Sequence, residues 1–368
     1  MEYSMIGSIF WFLVVLFIVV SLHELGHYAV ARMNKVKVEA FSFGIGKELL
    51  GWTDSRGTRW KVCMLPIGGY VQMYGDADAA STPDTEALHK MTKAQKNQSF
   101  YYKKVWQKSA IVAAGPIANY LTAILIFFFT FSVYGKAVII PEVSGVVKES
   151  AADIAGMKPG DLIVEVEGKP IDSFDELKLI VSLNLGDPIR LGVEREGKQI
   201  EVMVTPKITE MDDPTGGKIK VPILGIEASN FKHTHISLLE AAKESVVQTY
   251  ILSASMIRGL GQVISGQRSI KELGGPVKIA QYSGKTAEQG MLPLLWFIAL
   301  ISINLGLVNL LPIPALDGGH LLYYGVEALA GKPMSEKVQE YSFRIGMMLL
   351  LTLMVVVTFN DVMGLVFG

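Results

Sequence analysis

Two histidines and a glutamate close the first apolar run of this 368-residue chain, in "VVSLHELGHYAVARM" at 19–33. On a helix, His23 and His27 stand four residues apart and project from one face, a spacing at which two imidazoles can bind one Zn2+. Glu24 follows His23 directly, close enough to hydrogen-bond a water held there. The same pattern arises by chance in soluble helices, so its setting decides its meaning. A charged side chain at the centre of a membrane helix costs about 2.5–3.5 kcal/mol on insertion scales, so an intramembrane ionisable cluster reads as functional. The competing reading is a set of polar side chains wet at the headgroup level.

A catalytic zinc takes three protein ligands and keeps a fourth position open. The motif "NLLPIPALDGGH" at 309–320 closes a later uncharged run and carries Asp317, a carboxylate able to complete the set. Pro312 and Pro314 break the helix and Gly318-Gly319 permits a tight turn, so the aspartate can be presented from a cavity wall. His320 is a rival ligand that could equally be a surface histidine. His89, His233 and His235 read as solvated loop residues. Cys63, the single cysteine, rules out an internal disulfide framework, has no metal-spaced partner and reads as a small buried side chain. Asn119, in "AAGPIANYLTA", and Asn304 are polar within apolar runs and read as interhelical hydrogen bonds worth about 1 kcal/mol each.

These groups need elements to hold them. At 50% hydrophobic residues and a mean hydropathy of +0.35, the chain is too oily for an ordinary soluble domain. A net charge of -1 offers no basic field, and nucleic acid is excluded as a partner. Four segments, 5–22, 109–134, 290–316 and 345–360, lack charge over lengths that approach a bilayer span. The first lacks a basic leader and a small-x-small cleavage site, so it is expected to be retained. Arg32, Lys35 and Lys37 follow the first span, while Lys103, Lys104 and Lys108 precede the second. The loop over 32–108 is therefore expected in the cytoplasm, with both termini outside.

Within that loop, 38–50 and 58–76 read as strands joined by turns, with Gly44, Gly46, Gly68 and Gly69 allowing close backbone approach. Residues 77–104 are polar and read as a mobile connection. Between the second and third spans, "VSGVVKESAADIAGMKPGDLIVEVEGKPIDSFDEL" at 143–177 alternates strand, short helix, turn and strand. The A-G-M-K-P-G-D-x-I core resembles a bacterial PDZ domain, a fold that accepts a peptide end or an added strand; a plain β-rich spacer is the alternative. Residues 236–260 read as an interfacial amphipathic helix, or as one packed on the soluble domain.

The expected fold is a polytopic α-helical membrane protein of about four transmembrane helices, with a cytoplasmic membrane-associated β-structure and an inserted extracytoplasmic PDZ (α+β) domain. Its divisions are transmembrane helix 1 with HELGH over 1–34, the cytoplasmic β-bearing loop over 35–104, transmembrane helix 2 over 105–135 and the PDZ domain over 136–232. An amphipathic helix and connection over 233–288, transmembrane helix 3 with LDGG over 289–320, a cytoplasmic connection over 321–344 and transmembrane helix 4 over 345–368 complete the chain.

HExxH in the first span, PxPxLDGG at the end of a later one, the intervening PDZ-like stretch and the "LPIGGYVQM" loop together resemble the site-2 protease family. The nearest branch is the bacterial zinc proteases of regulated intramembrane proteolysis that cut anti-sigma factors. The resemblance covers nearly the whole chain, although the length leaves room for one PDZ domain where the best-known enterobacterial member carries two. It implies that His23, His27 and Asp317 hold Zn2+, that Glu24 is the general base, and that Asn309, Pro312 and Pro314 handle substrate. A substrate helix must unwind before its carbonyls can be reached, and the strand-like segment at 38–74, with Gly44, Gly46, Gly68 and Gly69, is the candidate sheet edge that re-pairs it, a plain cytoplasmic subdomain being the alternative; the resemblance agrees in implying a membrane-associated β-structure there. The partners implied are single-span membrane proteins and the bilayer of the bacterial inner membrane, with the active site towards the cytoplasm. Two readings compete: a non-enzymatic PDZ membrane scaffold with a structural zinc site, and a zinc transporter with midplane ligands on broken helices. "ELGGPVKIAQ" at 272–281 matches a family segment whose role the sequence leaves open.

Overall fold

The computed structural model describes residues 5–76, 84–184, 186–212, 218–267, 269 and 274–367. Along the chain, α1 (Met5–Met33) is followed by β1 (Val38–Thr53), β2 (Arg59–Met73), α2 (Thr85–Lys90), α3 (Lys93–Lys96) and α4 (Val105–Tyr134). Next come β3 (Lys136–Ile139), β4 (Gly145–Val146), α5 (Ala151–Ile154), β5 (Leu162–Val166), β6 (Lys169–Pro170) and α6 (Phe174–Ser182). Then follow β7 (Ile189–Arg195), β8 (Lys198–Val204), β9 (Lys207–Asp212), β10 (Lys218–Ile223), β11 (Ile226–Glu227) and β12 (Phe231–Thr234). The chain closes with α7 (Leu238–Ile264), α8 (Pro276–Glu288), α9 (Met291–Asn309), α10 (Asp317–Ala330) and α11 (Glu336–Phe367). Four of these, α1, α4, α9 and most of α11, are long and apolar enough to cross a membrane.

Two compact units divide the chain. One comprises Met1–Thr130 with Leu239–Gly368, the other Phe131–Leu238. In the first, small residues let α1 and α4 meet closely, as membrane helices do where lipid supplies no hydrophobic drive to pack. A side chain on Gly26 would strike Ala114 O and the Ala118 Cβ, and Ser302 Oγ on α9 donates to Asn119 O of α4 at 2.9 Å. Val15 and Val19 of α1 pack against Leu294 and Ile298 of α9.

β1 and β2 are long strands that bend, and their register makes more than a hairpin. Residues 40–43 of β1 pair with 69–72 of β2 on one side and with 59–62 on the other, and 59–62 also pair with 50–53. A ladder of rings crosses this sheet, Phe41 on Trp60 at 4.6 Å and Trp60 on Trp52 at 6.1 Å. Its far end exposes Ile45, Leu49, Leu50, Trp52, Met64 and Leu65.

Two stretches carry more regular structure than the reading of the sequence specified. Residues 77–83 lie outside the described residues, but the rest of the expected mobile connection carries α2 and α3. The Asp84 side chain caps α2 by accepting from Ala87 N at 2.9 Å, and Thr92 and Gln95 form a reciprocal capping box on α3. The expected connection over 321–344 is also mostly helical: α10 runs to Ala330, stopped by Gly331 in a left-handed conformation (φ 71°), and α11 begins at Glu336. The apolar run at 345–360 is thus the middle of a longer helix.

The second unit centres on a four-stranded sheet in the order β6-β5-β7-β8, with Ile163, Leu177, Leu191, Val193 and Val204 buried in its core. α5 and α6 start on the side chains of Ser150 and Ser173, which accept from Asp153 N and Glu176 N. β3 pairs with β12, so the entry and exit of the unit are stitched together. His233 lies exposed in that pairing, and His89 is exposed on α2.

Candidate functional site

His23 and His27 fall at the buried side of α1, and their Nε2 atoms are 3.2 Å apart. Asp317 opens α10, where its carboxylate also meets the positive end of the helix. Its Oδ2 lies 3.2 Å from His23 Nε2 and 3.5 Å from His27 Nε2. The LDGG turn makes that placement possible, because any side chain on Gly318 would overlap the carbonyls of Leu310 and Leu311, and one on Gly319 would crowd Ile313 O. Ala315 takes a left-handed φ of 89°, a strained conformation that the PxP turn holds in place. A side chain on Gly346 would overlap Pro314 O, so α11 backs the same turn.

Whether a zinc ion fits can be asked of the donors themselves. His27 Nδ1 lies 2.9 Å from Ile111 O, and because a carbonyl only accepts, that nitrogen carries the proton and leaves Nε2 as a lone pair in the neutral ring. Asp317 Oδ2 is buried and accepts no hydrogen bond. Electron-pair donors this close repel one another unless a cation or a shared proton lies among them. Tetrahedral Zn–N bonds of about 2.0–2.1 Å set ligand atoms roughly 3.3–3.4 Å apart, which matches the triangle found here. The three residues form a group able to hold a metal ion, and they suit zinc.

Glu24 is half-buried beside them on α1, against the β-sheet. A Cβ on Gly69 would lie 3.3 Å from Glu24 Cγ and 3.7 Å from Val20 Cγ1, so the end of the 69–72 strand runs past the carboxylate. Of the other expected glycines, Gly44, Gly46 and Gly68 take left-handed φ values of 86°, 93° and 90°; Gly44 faces Leu65 O, while Gly46 meets open space. Asn309 is the last residue of α9, and Pro312 is exposed on the turn beyond it. His320 stands apart from the donor triangle, with its ring against Tyr323 and Tyr324. Asn304 is exposed on α9 rather than bonded between helices, since the buried stripe of α9 passes through Ala299, Ser302, Ile303 and Gly306.

One residue of the site escapes inspection of the sequence, and a second, Asn119, makes the interhelical hydrogen bond read for it, with a partner the sequence did not name. A Cβ on Gly115 of α4 would overlap His27 Nε2 and lie 2.7 Å from His23 Cε1, so both rings occupy the space that glycine leaves. Asn119, one turn further, puts Nδ2 at 3.2 Å from His23 Nδ1. The signal in the sequence was the GPxxN spacing itself, although nothing in it says which helix α4 faces.

The sequence profile of peptidase family M50 matches residues 11–353. A Rhizobium meliloti (strain 1021) protein named as a zinc metalloprotease is 44% identical over 355 residues, covering 95% of this chain and 95% of its own. Another so named, from Agrobacterium fabrum (strain C58), is 42% identical over 364 residues, 98% of this chain and 97% of its own. Metalloprotease MmpA of Caulobacter vibrioides is 36% identical over 372 residues, 95% of this chain and 94% of its own. Among solved structures, the PDZ domain of an SdrC-like protein of Listeria innocua covers 26% of this chain and 99% of its own at 22% identity and a TM-score of 0.21, too low to assign a fold.

Proposed function

The chain belongs to peptidase family M50 and is a zinc-dependent metalloprotease, and from that premise we propose that it cuts single-span membrane proteins in or near their transmembrane segments. The cut follows a first one on the outer side, and anti-sigma factors or signal-peptide remnants are the substrate class. The observation that carries this reading is a His-His-Asp group on and beside helices of spanning length and composition.

When bound, Zn2+ supplies Lewis acidity to a peptide carbonyl and makes water a stronger acid. His23, His27 and Asp317 would hold it, and Glu24 would take the proton of the attacking water and later return it to the leaving amine. A substrate helix hides its carbonyls in its own hydrogen bonds, and unwinding it in lipid leaves polar groups unpaired at several kcal/mol each. The 69–72 strand, whose Gly69 lies against Glu24, is the edge at which an unwound segment would re-pair by strand addition. The apolar far end of that sheet suits immersion in lipid, and Gly44, Gly46 and Gly68 shape its bends. Asn309, Pro312 and Pro314 guide the substrate past the other side of the group.

The setting is the bacterial inner membrane, with the active site towards the cytoplasm and 136–232 outside as a PDZ domain. That domain either binds the carboxyl terminus exposed by the first cut or blocks bulky outer domains. Co-expression with candidate single-span proteins shortened on the outer side tests the reading. A product whose new ends map to the transmembrane segment is expected with the wild type and not with Glu24→Gln. Cleavage that persists in Glu24→Gln, or that maps to the outer domain, contradicts it.

A further inference from the structure

The two imidazoles of the zinc group are not held alike. His27 gives its Nδ1 proton to a backbone carbonyl, Ile111 O, which can only accept. His23 Nδ1 faces a side chain, the amide of Asn119, whose nitrogen lies 3.2 Å away while its Oδ1 is buried with no partner. Asn119 is fully buried, and Ser302 Oγ pins its backbone carbonyl. An amide nitrogen directed at Nδ1 would force the His23 proton onto Nε2, the atom that faces His27 and Asp317, and a protonated Nε2 cannot ligate a cation. The two ends of a carboxamide have the same shape, and the hydrogen-bond network decides which is which. Turning the amide by a half-rotation brings the orphaned oxygen to His23 Nδ1 and frees Nε2.

We propose that Asn119 is a positioning residue of the metal centre, its Oδ1 accepting the Nδ1 proton of His23 and so fixing the tautomer that offers Nε2 to zinc. α4 then supports the site from one stripe. Ile111, Gly115 and Asn119 succeed one another at intervals of four residues, the first orienting His27, the second making room for both rings and the third orienting His23. Partners of this kind hold ligand rings in place, and losing one costs about 10–100-fold in metal affinity.

The inference rests on the zinc reading, and full-length protein separates the two. Zinc dissociation constants by chelator competition are measured for the wild type, Asn119→Ala, Asn119→Leu and Asn119→Asp, with helicity and elution volume matched. The Ala and Leu variants are expected to bind zinc about 10–100-fold more weakly, and Asp, which keeps an acceptor oxygen, to recover most of that loss. Ala binding as tightly as wild type, or Asp binding as weakly as Ala, overturns the proposal. A second measurement needs no substitution at Asn119: nitrogen NMR of histidine-labelled, metal-stripped wild type, with the His23 signal assigned by its loss in His23→Gln. The proton is expected on Nδ1, and a proton on Nε2 overturns the proposal. A wild type that takes up no zinc removes the zinc reading instead.

Discussion

At the scale of the residue, the site is defined as much by what is missing as by what is present. Gly115 contributes no atoms to the chemistry, yet the edges of both imidazoles occupy the place of its side chain. Gly115→Ala should push the rings aside, and a misplacement of about 1 Å costs on the order of 100-fold in rate. Cleavage by purified variant and wild type measures it, and an unchanged rate would mean that the rings do not lie there. Glu24 is the opposite case, a residue whose charge matters and whose bulk does not. Glu24→Gln should retain zinc while losing about 100–10,000-fold in cleavage, checked by metal content and turnover on one preparation. The histidine pair and the aspartate were legible because four-residue spacing on a helix and a PxPxLDGG turn are local patterns. Gly115 was not, and Asn119 was legible as an interhelical hydrogen bond but not as a neighbour of His23, because that partner lies 96 positions away in sequence.

At the scale of the element, α10 and α8 are held by buried charges from other helices. Lys108 near the start of α4 reaches Glu327 on α10 at 2.8 Å and 3.0 Å, with its ammonium over the ring of Tyr324 at 4.9 Å. Burial pushes the Tyr324 phenol up, so that ring stays neutral beside the ammonium. This pair anchors the helix that presents Asp317. Asp361 of α11 accepts from Gly275 N at 3.2 Å and Lys278 N at 3.1 Å, capping the start of α8, which has no side-chain cap of its own. That assigns a structural role to part of the segment over 272–281, of which Glu272 and Leu273 lie outside the described residues. A Cβ on Gly275 would lie 2.7 Å from Asp361 Oδ2, so the glycine is what admits the carboxylate. Asp361→Asn keeps one acceptor but turns an amide NH2 toward the other backbone N–H, and should destabilise the protein by about 1–2 kcal/mol as that buried donor loses its partner. Thermal unfolding in micelles reads it, and an unchanged midpoint would dismiss the cap. The apolar runs foretold where the helices of spanning length lie but not where α10 stops, since that end depends on the left-handed Gly331 rather than on hydropathy.

At the scale of the molecule, each unit carries its own dependence on conditions. In the unit over 131–238, burial works to raise the Asp161 carboxyl, but the Arg195 guanidinium at 2.6 Å and 2.7 Å and the Lys158 N–H outweigh it and hold it below the ordinary carboxylate value. A native carboxyl that resists protonation adds stability that is complete above the unfolded value of about 3.9 and is lost as the pH falls through the lower native one. Unfolding midpoints of this unit should therefore drop below about pH 4, and Arg195→Met should flatten that acid limb. A limb of equal steepness in both would assign the acid sensitivity to other groups. In the unit that carries the spans, the decisive condition is metal. The most direct test of the account is the zinc content of purified full-length protein, wild type beside Asp317→Ala, after equilibration with a chelator. The account predicts one zinc per chain in the wild type and its loss from Asp317→Ala. A wild type without stoichiometric zinc, or an Asp317→Ala variant that keeps it as firmly, would contradict a centre clasped jointly by α1 and the LDGG turn.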